Sequence, residues 1–142
     1  MSGLVVDASV AIKWVVEEPG SEAAAALLGG TSLLAPDLLL FECANALWKK
    51  VRRGELTAGE AGLAIRLLRQ ADIELVPTRP LVERALLLAL QLDQTAYDCL
   101  YLALAMESGR GFVTADSRFC RRIEEAAIAP GLVTVLEAGK AP

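Results

Sequence analysis

The sequence predicts an α/β protein, a three-layer α/β/α sandwich built on a five-stranded, mainly parallel sheet. Two observations carry this reading. Short, near-continuous apolar runs alternate along the chain with helix-length segments, and strands of that kind are buried on both faces, as happens where helices cover both sides of a parallel sheet. The 142 residues also match the length of one domain, so residues 1–142 are read as a single unit that buries about two-thirds of its unfolded surface.

The elements follow in order. Leu4-Val5-Val6 is a strand that ends at Asp7 and feeds a helix from Ser9 to Glu18, stopped by Pro19-Gly20. Ser21 to Leu28 is an alanine-rich helix closed by Gly29-Gly30, and Ser32 to Ala35 is the second strand. Pro36-Asp37 opens a long helix, proline at its first position and an acid beside it, which closes at Lys49, Lys50, Arg52, Arg53 and Gly54. Thr57, with Glu60 three residues on, caps a helix that runs to Gln70. Ile73 to Val76 is the third strand. Pro80 opens a helix through Leu92, and Thr95 opens the next through Ser108, ending at Gly109. Gly111 to Thr114 is the fourth strand, Asp116 to Ala127 a helix and Leu132 to Leu136 the fifth strand, after which the last few residues are expected to fray.

Composition narrows the chemistry. There is no histidine, and 14 Lys+Arg face 18 Asp+Glu for a formal charge of -4. Ser-His-Asp hydrolysis, His-paired cysteine nucleophiles and imidazole-built zinc sites are excluded. Three widely spaced cysteines, Cys43, Cys99 and Cys120, form neither a disulfide framework nor a zinc knuckle and read as small core residues. No signal-peptide pattern or membrane-length apolar stretch stands in the sequence, so a soluble, cytoplasmic protein is expected. The 54% hydrophobic content exceeds what one small core needs and predicts an oligomer or an obligate complex.

Four acids do not suit their surroundings. Ligands of open α/β sheets bind beyond the carboxyl ends of the strands, where Asp7 and Asp116 stand. Glu42 lies among Leu38, Leu39, Asn45 and Ala46, past the first turn of a helix begun at Pro36, with no basic partner along the helix. Asp98 heads the apolar run Cys99-Leu100-Tyr101-Leu102-Ala103-Leu104-Ala105. Asp7 and Asp116 also stand where N-caps belong, and Thr95 to Asp98 has capping-box spacing, so capping and chemistry both remain open for these three. Taken together, a self-repelling carboxylate set calls for a cation. Oxygen ligation without His or Cys selects a hard ion, Mg²⁺ or Mn²⁺, and such ions activate water against phosphodiesters.

Four stretches, Val5-Val6-Asp7-Ala8-Ser9-Val10, Pro36 to Leu47, Thr95 to Ala105 and Val113-Thr114-Ala115-Asp116, occur here in the order in which they occur in a known family. The chain resembles the PIN domain, and within it the VapC-type ribonuclease toxins of toxin–antitoxin systems. The resemblance spans Leu4 to about Leu136. It implies that Asp7, Asp98 and Asp116 bind a divalent metal, with Glu42 holding a metal-bound water or orienting the nucleophile. Ser9 and Thr114 would support the acids and Asn45 would border the site. Some relatives carry a further acid where this chain has Arg118, so a four-acid site is implied. The resemblance also implies an RNA substrate, a cognate antitoxin that covers the acidic groove, and a homodimer.

An acidic protein that acts on RNA must place its cations locally. Arg118, Arg121 and Arg122, directly after Asp116, are the preferred phosphate contacts over the Lys49–Arg53 cluster, whose charges the helix C-terminus already explains. Trp14, Trp48, Tyr97 and Tyr101 read as core or interface aromatics. Two other readings compete with the endoribonuclease. One is a catalytically silent PIN-like scaffold that binds RNA or protein, against which the retained acids argue. The other is a haloacid-dehalogenase-type phosphatase, which needs a second aspartate where this chain has Ser9.

Overall fold

The computed structural model describes residues 3–137, so the C-terminal residues expected to fray lie outside the described part. Five strands, β1 (Leu4–Val6), β2 (Leu33–Pro36), β3 (Glu74–Val76), β4 (Gly111–Thr114) and β5 (Val133–Val135), form one sheet of order β3-β2-β1-β4-β5. Every pairing in it is parallel. Among the described residues seven α-helices join them: α1 (Ala8–Ala11), α2 (Ser21–Ala25), α3 (Leu39–Arg52), α4 (Ala58–Arg69), α5 (Val82–Leu92), α6 (Ala96–Ser108) and α7 (Ser117–Glu125). None is long and apolar enough to cross a membrane.

Alternation along the strands divides the core in two. Val5, Leu34 and Phe112 point into the larger cluster with Leu39, Leu102, Phe119 and Ile123. Their neighbours Val6, Leu33 and Val113 point the other way, onto Val10 and Ala24 with Trp14 packed against them. Helix α6 carries most of the larger cluster, because every residue from Cys99 to Ala105 is buried. A helix apolar all round belongs inside, and α6 packs across β1, β2 and β4. The central strands β1 and β4 therefore end beside the N-terminus of α6, which brings Asp7, Asp98 and Asp116 to one rim.

Several boundaries differ from the expected ones. The helix expected over Ser9–Glu18 is one α-turn followed by a 3₁₀ turn that ends at Trp14. Glu18 instead bridges Lys13 at 2.9 Å and Lys50 of α3 at 2.8 Å, and the Ser21 hydroxyl donates to the Val16 carbonyl while accepting from the Glu18 N–H. These bonds draw residues 15–20 into a turn. The helix expected to Leu28 stops at Ala25 and continues as turns. Pro36 ends β2, opposite Val76, and does not open α3. Pairing of β2 with β1 stops at Leu34, so the missing proline N–H costs that ladder nothing. Pro80 lies in a 3₁₀ turn, Arg79–Leu81, ahead of α5. The Thr57 capping box and the left-handed Gly109 at the end of α6 are as expected.

Candidate active site

Register builds the first half of the site. Val6 of β1 lies opposite Val113 of β4, so the next residues, Asp7 and Thr114, meet at the strand ends. The Thr114 hydroxyl donates to Asp7 Oδ2 at 2.6 Å and accepts the Asp116 N–H at 3.1 Å. Ser9 Oγ donates to Asp7 Oδ1 at 2.5 Å and accepts the Ala115 N–H at 2.9 Å. The Asp7 carboxylate also caps α1 through the Val10 N–H, at 3.3 Å. Asp7 is 7% exposed and Thr114 fully buried. Capping and site geometry thus coexist at Asp7. Asp116 likewise caps α7, its Oδ1 accepting the N–H groups of Arg118 and Phe119 at 3.0 and 3.1 Å.

The second half comes from two helices. Because α3 starts at Leu39, Glu42 falls in its first turn and not beyond it. Its carboxylate Oε1 accepts the Tyr101 hydroxyl of α6 at 2.8 Å. Asp98 sits in the first turn of α6, whose N-cap Thr95 accepts the Asp98 N–H at 3.2 Å. The expected reciprocal half of that box is rerouted. Asp98 Oδ2 accepts from the Thr95 hydroxyl at 3.1 Å and from Gln94 Nε2 at 2.8 Å.

Ser9, Glu42, Asn45, Lys49, Thr95 and Asp98 line a cleft of about 580 Å³, with Phe41 and Tyr97 at its mouth. Thr95 also lines a neighbouring depression that holds Asp116, Arg118 and Arg122. Two of the four acids therefore line the cleft, Asp7 stands within electrostatic reach of both, and Asp116 lines the neighbouring depression. Burial pushes the Asp7 carboxyl up to about 6, with the Asp98 charge adding to it. Burial also pushes Glu42 up to about 7, with Asp98 and then Asp7 reinforcing the shift. Tyr101 is raised too, first by burial and then by Glu42. Among the described residues, no three acidic or cysteine side chains stand close enough to enclose an ion as placed. The donor set nonetheless suits one: hard oxygens only, mutually repelling, with a single cation, Lys49, on the cleft wall.

Burial raises the Cys43 and Cys99 thiols to about 12 and 11, so both stay protonated and inert in the core. Arg121 is exposed on α7, away from both depressions. Arg122 is partly committed elsewhere: its Nη1 donates to the Asp93 carbonyl and, at 3.2 Å, to Gln94 Oε1. The sequence reading missed Gln94, which lies ahead of the N-cap Thr95 and outside the helix, where no helical spacing signals it, and the bond from Tyr101, which lies one turn after Asp98.

These shifts predict a pH dependence for the metal-free protein. The folded state keeps the Asp7 and Glu42 protons to about 6 and 7, whereas the unfolded chain releases them near pH 4. The folded state thus binds more protons in between, and stability falls as pH rises. Glu18 acts in the opposite sense. Its pKa is lowered by the hydrogen bonds and charges of Lys50 and Lys13, against its burial, so its contribution is lost as pH falls through the carboxylate range. Thermal melts in chelator should peak near pH 5 and decline towards pH 8; a melting temperature that rises over that interval contradicts the assignment.

Residues 4–124 match the family model described as PIN domain. The chain is 34% identical over 134 residues to Ribonuclease VapC3 of Pyrobaculum aerophilum, covering 92% of this chain and 98% of that protein. It is 30% identical over 115 residues to Ribonuclease VapC9 of Mycobacterium tuberculosis, covering 81% of this chain and 87% of that protein. Among solved structures, PAE2754 from Pyrobaculum aerophilum superposes with a TM-score of 0.68 at 22% identity, over 94% of this chain and 90% of that one. VapC20 of Mycobacterium tuberculosis, described as a toxin that cleaves the sarcin-ricin loop, gives 0.64 at 16% identity, over 83% of this chain and 93% of that one.

Proposed function

The chain belongs to the PIN domain family, and from that premise we propose that it is a VapC-type toxin endoribonuclease that hydrolyses RNA phosphodiester bonds with a Mg²⁺ or Mn²⁺ ion. One observation carries the reading: burial raises the carboxyls of buried Asp7 and half-buried Glu42, and the charge of Asp98 raises each of them further. A fold has no stability reason to keep such a set, since burying unpaired carboxylates is costly.

Asp7, Asp98 and Asp116 would hold the ion, with Glu42 beside them. When bound, the ion neutralises these charges, lowers the pKa of water and stabilises charge on the phosphate. The protein's own residues do the rest. Glu42, on the cleft wall with Asp98, would orient the attacking water and take its proton as general base. Ser9 and Thr114 fix Asp7, and Tyr101 fixes Glu42. Asn45 and Lys49 on the cleft wall, and Arg118 beside Asp116, would meet substrate phosphates.

The VapC relatives support an antitoxin partner, and the cleft's rim supports a site for it: Phe41 is 78% and Tyr97 63% exposed, an apolar border of the kind partners cover. Exposed Leu86, Leu87 and Leu90 on α5 support a homodimer by the same reasoning. A cytoplasmic location accords with free, protonated thiols.

The test is cleavage of end-labelled total RNA with Mg²⁺ or Mn²⁺. Chelator should abolish cleavage, and Glu42→Gln should slow it by about 10²- to 10⁴-fold. Wild-type rates in Glu42→Gln would remove it from the chemistry. Absence of both cleavage and Mn²⁺ uptake would turn the reading to a silent scaffold, a role to which Asp116, engaged as a cap outside the cleft, is also suited.

A further inference from the structure

We propose that Arg122 and Gln94 form a positioning relay that fixes the carboxylate of Asp98 from across the fold; this rests on the reading of Asp98 as a ligand of the site. Helix α5 ends at Asp93 in the left-handed region, φ 52 and ψ 48, where a side chain is uncommon. The turn directs the last carbonyls of α5 towards α7. Arg122 Nη1 donates there to the Asp93 carbonyl and, more loosely at 3.5 Å, to that of Leu92, as cations at helix C-termini do.

The same nitrogen donates to Gln94 Oε1 at 3.2 Å, and Gln94 Nε2 donates to Asp98 Oδ2 at 2.8 Å. This amide can sit only one way. Turned over, its NH₂ would face the guanidinium and its oxygen the carboxylate, two repulsive contacts in place of two bonds. Arg122 therefore dictates the amide's orientation, and the amide, with Thr95 on the same oxygen, dictates that of Asp98.

The chemistry gives such a relay a purpose. An arginine paired directly with Asp98 would orient it but neutralise the charge that a cation needs. Glutamine transmits the orientation and leaves the charge free. Groups of this kind, which hold a ligand without touching the ion, typically govern metal affinity by about 10- to 100-fold.

The experiment reads two quantities on the intact chain. The Gln94 side-chain amide resonances of the wild type should lie away from free glutamine and collapse to it in Arg122→Leu. Calorimetry should show Mn²⁺ bound about 10-fold or more weakly by Gln94→Leu, with the Arg122→Leu/Gln94→Leu double variant no weaker than Gln94→Leu alone, and thermal melts confirming each variant folded. If Arg122→Leu does not fold, Arg122→Gln takes its place in both measurements. Unchanged Gln94 resonances, Mn²⁺ affinity within twofold in Gln94→Leu, or additive losses in the double variant would each overturn the relay. A wild type that takes up no Mn²⁺ would overturn the metal-dependent reading instead, and the resonances would still decide the relay.

Discussion

Asp7→Asn should abolish RNA cleavage and, in the same experiment, make the metal-free protein harder to melt. The two effects have one cause. Asp7 is 7% exposed, and burial holds its carboxyl at about 6 in place of 3.8. Keeping that group ionised costs the folded state about 3 kcal/mol above pH 7. Asparagine has the same shape and no charge. Its amide oxygen accepts from Ser9, and its NH₂ donates to Thr114, whose hydroxyl can turn its own proton towards Ser9 Oγ, 3.4 Å away. At pH 8 in chelator a gain of about 1–2 kcal/mol, or roughly 3–8 °C in Tm, is expected. Cleavage should fall by on the order of 10²- to 10³-fold or more, the loss typical when one preorganised electrostatic group is removed from a site. Added Mn²⁺ should raise the Tm of the wild type and leave the variant unmoved. A variant that melts below wild type in chelator, or cleaves within tenfold of it, defeats the account. Such a trade of stability for function is the usual mark of a strained site.

Most of the scaffold is legible because it is local. Leu4-Val5-Val6 is an apolar run ended by Asp7, Phe112 to Ala115 leads to Asp116, and the all-apolar segment from Cys99 to Ala105 can only be the helix that lies across the sheet. Thr57 and Thr95 announce their helices through short-range bonds that the spacing encodes. What fails is settled at long range. The first helix stops at Trp14, and Glu18, expected at its end, is instead held by Lys50, 32 residues away. Pro36 satisfies the rule for opening a helix equally well as the rule for closing a strand, and only its pairing with Val76 decides between them.

The site divides along the same line. The four acids stand out one by one, through an unexpected charge at a strand end or on an apolar helix. Their geometry does not. That Asp7 is solvent-poor follows from β1 being the central strand, and that Glu42 answers to Tyr101 depends on a side-chain bond from α6, 59 residues on. Arg122 looks like a phosphate contact from its place after Asp116. The bond to Gln94 depends on the left-handed turn at Asp93, which no short motif in this chain encodes.

Thr114 offers the sharpest test of how the strands assemble the site, because one hydroxyl serves two acids. It donates to Asp7 and accepts from the Asp116 N–H, in a position fully closed to solvent. Valine has the same shape and neither capacity. Thr114→Val removes a hydrogen bond to a charged group, worth about 1.5–3 kcal/mol, and leaves the half-buried Asp116 N–H without its acceptor at about 1 kcal/mol more. Relief of the Asp7 charge offsets part of this, since a carboxyl that loses its donor takes up a proton more readily. A net loss of about 2–4 kcal/mol is therefore expected, read as a drop in the denaturant midpoint without a change in slope. The loss should be smaller at pH 5, where Asp7 is protonated and can donate a bond of its own. Cleavage should fall by about 10- to 100-fold, the range for groups that orient ligands. Thr114→Ser keeps the hydroxyl and gives up one buried methyl, so it should cost about 1 kcal/mol and restore cleavage to near wild type. Equal damage from valine and serine would show that Thr114 serves packing alone, and that the strand ends hold Asp7 and Asp116 without it.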